Sequence, residues 1–141
     1  MIILDTNVIS EVTKPLANAN VLAWINRQDV DDLFLTAINL AELLEGVAIL
    51  PEGKRKDLLK ASIQEAIAKL IRTPILQFDR AAALSFVSVK MLAKARRYTL
   101  PVADGQIAAI ASMHGFAVAT RDVEPFLAAG VPVVNPWERD R

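Results

Sequence analysis

Apolar positions along the chain follow two periodicities. Short apolar runs occur at residues 2–4 (Ile2-Ile3-Leu4), 33–36, 75–77, 116–119 and 131–134, each of strand length. Between them lie longer segments in which apolar residues recur every three or four positions, the period of a helix. Residues 39–50 carry the stripe Leu40, Leu43, Leu44, Val47 and Leu50, and residues 52–72 set Leu58, Leu59, Ile63, Ile67 and Leu70 among charges. Residues 79–97 open on Asp79, an N-cap type, and close on basic residues, as the helix dipole favours. Residues 101–114 open on Pro101 and stop at Gly115. Strands alternating with helices predict an α/β fold whose parallel sheet, of about five short strands, is buried between helices. Pro51-Glu52-Gly53 reads as a turn between two helices, and no composition shift marks a linker, so residues 1–141 are expected to form one domain.

That topology gives the acids a common address, because ligands of open parallel sheets bind beyond the carboxyl ends of the strands. Asp5 directly follows the first strand, and Asp122 follows the strand at 116–119. The helix 101–114 feeds into that strand from the opposite edge, so its start, with Asp104, lies at the carboxyl edge. Glu42 sits in the first two turns of the helix that leaves the strand at 33–36. Its own face holds Ile38, Glu45 and Ile49, and the other side is the Leu/Val stripe. A helix apolar on two faces is expected to be mostly buried, where a carboxylate needs a partner. Clustered carboxylates raise one another's pKa unless a cation neutralises them.

Composition narrows that cation. The chain has no Cys and one His, His114, which excludes disulfides and Cys/His zinc sites. Oxygen ligands alone match Mg²⁺ or Mn²⁺, ions that activate water for attack on a phosphodiester. Sixteen basic and 16 acidic residues leave a formal net charge of zero, so attraction for nucleic acid rests on local clusters. The hydrophobic share, 53%, exceeds ordinary usage and points to a subunit interface. The N-terminal apolar run lacks a preceding basic region, and no stretch approaches the roughly 20 apolar residues of a membrane span. A soluble, cytoplasmic protein without membrane contact is the expectation. Walker, G-x-G-x-x-G and G-x-S-x-G motifs are missing.

Each acid also has a plainer reading. Asp5 or Thr6 suits the N-cap of a following helix, Asp104 suits a first helical turn, and Asp122 suits the start of a short helix near Glu124-Pro125-Phe126-Leu127. Glu42 and Glu45 suit a solvated face. His114 reads as a helix C-terminal residue, Lys54-Arg55-Lys56 as a solvated face, and Lys94, Arg96 and Arg97 as surface charges open to phosphate.

Taken together, strand-Asp5-Thr6-Asn7, Leu40-Ala41-Glu42-Leu43, Val102-Ala103-Asp104 and Ala119-Thr120-Arg121-Asp122 resemble the motifs of PIN-domain ribonucleases over nearly the whole chain. The size and the Asn135-Pro136-Trp137 tail resemble the VapC-like toxins of bacterial toxin–antitoxin pairs, including the FitB-like branch. The resemblance implies a PIN-like three-layer sandwich. Asp5, Glu42, Asp104 and Asp122 would be its metal-binding, catalytic acids, with Thr6, Asn7 and Thr120 supporting them by hydrogen bonds. It implies Mg²⁺- or Mn²⁺-dependent hydrolysis of RNA, typically a restricted set such as transfer RNA. It further implies a homodimer and a small antitoxin that covers the acidic pocket and binds operator DNA. Many relatives carry a basic residue soon after the Ala-Glu-Leu motif, where this chain has Leu44-Glu45.

Two other readings compete. One is a PIN-like module that holds RNA or protein without catalysis. The other is a receiver-like signalling domain, with Asp79 after the run at 75–77 as the acceptor acid; it leaves Glu42 and Asp104 unexplained.

Overall fold

In the computed structural model, which describes residues 1–139, β1 (Ile2–Leu4) lies inside a parallel sheet. It pairs with β2 (Leu33–Phe34) on one side and β3 (Ala117–Ala119) on the other, and β4 (Val133–Val134) completes the order β2-β1-β3-β4. Successive strand residues point to opposite faces. Ile3 and Val118 therefore enter one core, with residues of α5 (Arg80–Ala95), α6 (Val102–His114) and α7 (Glu124–Ala128). Leu4, Ala119 and Leu33 enter the other, with α1 (Thr6–Val12), α2 (Ala19–Asn26), α3 (Ala37–Ala48) and α4 (Lys54–Leu70). The result is the expected three-layer α/β sandwich.

The predicted fifth strand contracts to one bridge, Thr36 to Leu76, with Ala37 N donating to Leu76 O and Leu76 N to Leu35 O. Proline explains the limit: Pro74 has no N–H to extend the ladder. Leu33 O is instead satisfied by the Thr73 hydroxyl at 2.6 Å. Two elements went unforeseen, α2 and a 3-10 turn at Val30–Asp32. Asn18 caps α2, its side chain accepting from Asn20 N and Val21 N.

Helix starts follow side-chain chemistry. Thr36, expected within a strand, is the N-cap of α3 through a reciprocal capping box with Asn39. Asp79 caps α5 by accepting from Ala82 N at 2.9 Å, so it serves as a cap and not as an acceptor acid. α6 packs closely on α5 because Gly105 has no side chain: a Cβ there would lie 2.8 Å from Phe86 Cε2. His114 ends α6 before Gly115, in the left-handed conformation, and stacks on Phe116. Among the described residues, no helix is long and apolar enough to cross a membrane.

Candidate active site

The pairing of β1 with β3 matches Leu4 to Ala119, so Asp5 and Thr120 emerge side by side at the carboxyl edge. Asp5 N donates to Ala119 O at 2.9 Å, carrying the ladder one step further. The Asp5 side chain then does two jobs. It caps α1 by accepting from Thr6 N, and it also accepts from Asn39 Nδ2 at 3.1 Å and from the Thr120 hydroxyl at 2.8 Å. Thr120 is wholly buried, and its oxygen accepts from Asn7 Nδ2 at 3.2 Å and from Asp122 N at 3.0 Å. One donor and two acceptors exhaust that hydroxyl. Asn7 Oδ1 receives Arg121 N at 3.4 Å. Thr6 donates its hydroxyl to Glu42 Oε1 at 3.0 Å and accepts from Asn39 Nδ2 at 3.2 Å.

These bonds fix Asp5 and Glu42 on one wall of a cleft of about 430 Å³, which Asp104 and Asp122 also line. All four predicted acids thus meet, with Thr6 and Asn7 in the lining and Thr120 behind it. Asp104 does occupy the first turn of α6. Asp122 does not cap α7, whose N-cap is Val123 without a side-chain bond. Glu42 is half-buried, but not between two apolar faces as expected: Ile49 is 74% and Leu44 55% exposed. Glu45 is exposed and outside the cleft.

Burial, and then the charges of Asp5, Asp122 and Glu42, push the Asp104 carboxyl up to about 6. Burial also leads the upward shifts of Asp5 and Glu42; hydrogen bonds from Thr120 and Thr6, respectively, oppose them. Among the described residues no three acids or histidines sit close enough to form a ready-made cage. The donor set nevertheless fits a hard divalent cation. It is all oxygen, its repulsion is what a cation relieves, and Mg²⁺ commonly keeps several of its waters. A larger apolar groove of about 500 Å³ between α3 and α4, lined in part by Leu44, Val47, Ile63 and Ile67, holds no acid.

The family model of the PIN domain matches residues 2–130. The chain belongs to the PIN domain family. It is 44% identical to VapC ribonuclease Y4jK of Sinorhizobium fredii, over 98% of this chain and 99% of the relative. It is 44% identical to Toxin FitB of Neisseria gonorrhoeae, over 97% of this chain and 99% of the relative. The structure of FitAB bound to an IR36 DNA fragment superimposes with a TM-score of 0.92 at 42% identity, covering 100% of this chain and 99% of that one. Such coverage places the chain among the toxin-type PIN nucleases, which are hydrolases.

One wall of this PIN domain's cleft was not foreseen. Glu11 is buried on α1, Lys14 lies 3.0 Å from its Oε2, and Trp137 Nε1 donates to its Oε1 at 3.3 Å. The Lys14 ammonium beside it leads in holding the Glu11 carboxyl below its usual range, against burial. The Arg121 guanidinium stands over the Trp137 ring at 5.5 Å. Asn39, which ties Asp5 to Thr6, was equally unmarked; its signal is the Thr-x-x-Asn capping pattern at Thr36. Of the basic residues held open to phosphate, Arg96 instead donates to Leu127 O at 2.6 Å, and Lys94 and Arg97 are exposed.

Proposed function

We propose that this chain is the toxin of a toxin–antitoxin pair and a Mg²⁺- or Mn²⁺-dependent endoribonuclease acting in the cytoplasm on a restricted RNA set such as transfer RNA. The observation that carries this reading is the convergence of Asp5, Glu42, Asp104 and Asp122, from four separate segments, on one cleft. These four would hold the cation. When bound, it supplies charge neutralisation and an acidified water for in-line attack on a phosphodiester. The chain's own residues do the positioning. Asp5 is held by three donors, so its carboxylate is oriented before any ligand arrives. Thr6 aims Glu42, and the close α5–α6 contact at Gly105 sets the first turn that carries Asp104. The domain is read as spanning the chain. An antitoxin partner, with operator DNA bound through it, follows from the likeness to FitAB bound to DNA; the apolar α3–α4 groove offers a protein partner a seat. A homodimer would cover Leu84, Val87 and Met91, exposed at helical spacing on α5.

The test is cleavage of a transfer RNA pool by purified protein across a Mg²⁺ and Mn²⁺ series. Wild type should give discrete new ends, and Glu42→Gln and Asp104→Asn, folded by circular dichroism, should not. Undiminished cleavage by both variants would overturn the assignment of the acids. RNA binding without cleavage by wild type would favour the silent module.

A further inference from the structure

We infer that Arg121 and Lys14, held in place by Trp137 and Glu11, form the wall of the cleft that docks the phosphates of a single-stranded RNA; this rests on the nuclease reading above. The electrostatic problem is plain. The cleft lining holds five acids, Asp5, Glu11, Glu42, Asp104 and Asp122, and two bases, Lys14 and Arg121. A polyanion needs cations close at hand, because the zero net charge supplies no long-range attraction. Both bases lie on the side that carries Trp137.

That side is anchored as a loop tip would not be. Trp137 is tied at three points: its Nε1 to Glu11, its backbone N to Asn135 Oδ1 at 3.1 Å, and its carbonyl to Asn20 Nδ2 at 2.9 Å. Arg121 is exposed and, among the described residues, its guanidinium makes no ion pair; it lies over the indole face instead of bridging to neighbouring Asp122. Its N–H groups therefore remain available for a phosphate, and stacking restricts where they point. Lys14, 60% exposed, is likewise held at the rim by buried Glu11. An aromatic ring beside cations along one wall is the general design of single-strand docking. Arg121 and Lys14 contact substrate in this arrangement; Trp137 and Glu11 are positioning residues.

The experiment measures anisotropy of a labelled single-stranded oligoribonucleotide with the Asp104→Asn chain in Mg²⁺ across a KCl series. Arg121→Gln and Lys14→Gln are added singly, with Lys90→Gln, which removes an exposed charge from α5, as control. Each cleft variant should weaken binding about tenfold and reduce the log–log salt slope by about 0.7. Trp137→Ala should weaken binding and Trp137→Phe, which keeps a ring under Arg121, should restore most of it. Affinities and slopes for Arg121→Gln and Lys14→Gln equal to those of Lys90→Gln would overturn the inference, whatever Trp137→Ala does to folding. Cleavage by the unmutated chain is scored in parallel. Cleavage with charge-insensitive binding sinks the wall alone, and Arg121-dependent binding without cleavage sinks the nuclease alone. Absence of RNA binding by the parent sinks the wall.

Discussion

Replacing Thr120 by Val keeps the shape of a fully buried side chain and deletes one hydroxyl. That hydroxyl donates to Asp5 Oδ2 at 2.8 Å and accepts from Asn7 Nδ2 and Asp122 N at 3.2 and 3.0 Å. A hydrogen bond to a charged group contributes about 1.5–3 kcal/mol, and stranding two partly buried donors adds up to about 1 kcal/mol. The expected loss is about 3 kcal/mol, or about 1.5 M in urea midpoint for an m-value near 2 kcal/mol/M, with m unchanged. The loss should depend on pH. Burial already raises Asp5 above its ordinary pKa, and the Thr120 bond works against that rise. Without the bond the folded-state pKa climbs further, so ionising Asp5 costs more stability in the variant. The gap between the two stability curves should widen as pH rises through the Asp5 titration and shrink, to the part owed to the stranded donors, once Asp5 is protonated. Thr120→Ser should recover most of the loss. Urea unfolding followed by circular dichroism checks all three. A Thr120→Val protein within about 0.5 kcal/mol of wild type at neutral pH, or a gap that stays constant toward acid, would refute the reasoning.

Asp104, raised from 3.8 to about 6, makes the metal-free folded chain bind more protons than the unfolded chain between those pH values. Stability should therefore rise as pH falls through about 6 toward 3.8, and Asp104→Asn should be more stable than wild type at neutral pH with a shallower slope; Tm against pH in chelator tests this, and a steeper slope in the variant contradicts it. Gly105→Ala should destabilise by about 1–2 kcal/mol despite better helix propensity, since its Cβ would press on Phe86 and Leu100. A raised Tm would show that α5 and α6 can part freely. Asp79→Ala should cost about 1 kcal/mol through loss of the α5 cap, measured by urea unfolding, and leave RNA cleavage unchanged. Lost cleavage at full stability would show that Asp79 does more than cap α5.

The acids were legible because topology alone brings strand ends together. A strand followed at once by Asp5, and another followed by Thr120-Arg121-Asp122, needs only a parallel sheet to meet. Glu42 was placed correctly on an incorrect picture of its helix: Ile49 and Leu44 stand largely exposed, and what shields Glu42 is the cleft itself. The fifth strand failed because apolar periodicity does not register that Pro74 lacks a donor. The pairing of Glu11 with Trp137 was hidden for another reason: the two lie 126 residues apart in sequence, and no local pattern encodes such a contact. Asn39 had a local signal in its capping pattern, but its bond to Asp5, 34 residues away, did not. α2 was overlooked although Asn18 and the spacing of Val21, Trp24 and Ile25 announce it.

The matching of Ile2, Ile3 and Leu4 to Ala117, Val118 and Ala119 makes β1 a ruler as well as a structural strand. Side chains alternate along it between the two cores, so deleting any one of its residues would switch aliphatic side chains to the wrong core and draw Asp5 from the carboxyl edge toward the interior. Spacing is thus part of the chemical specification. A variant library that permutes residue identities within β1 should retain many working proteins, and one that changes its length by a single residue should retain almost none.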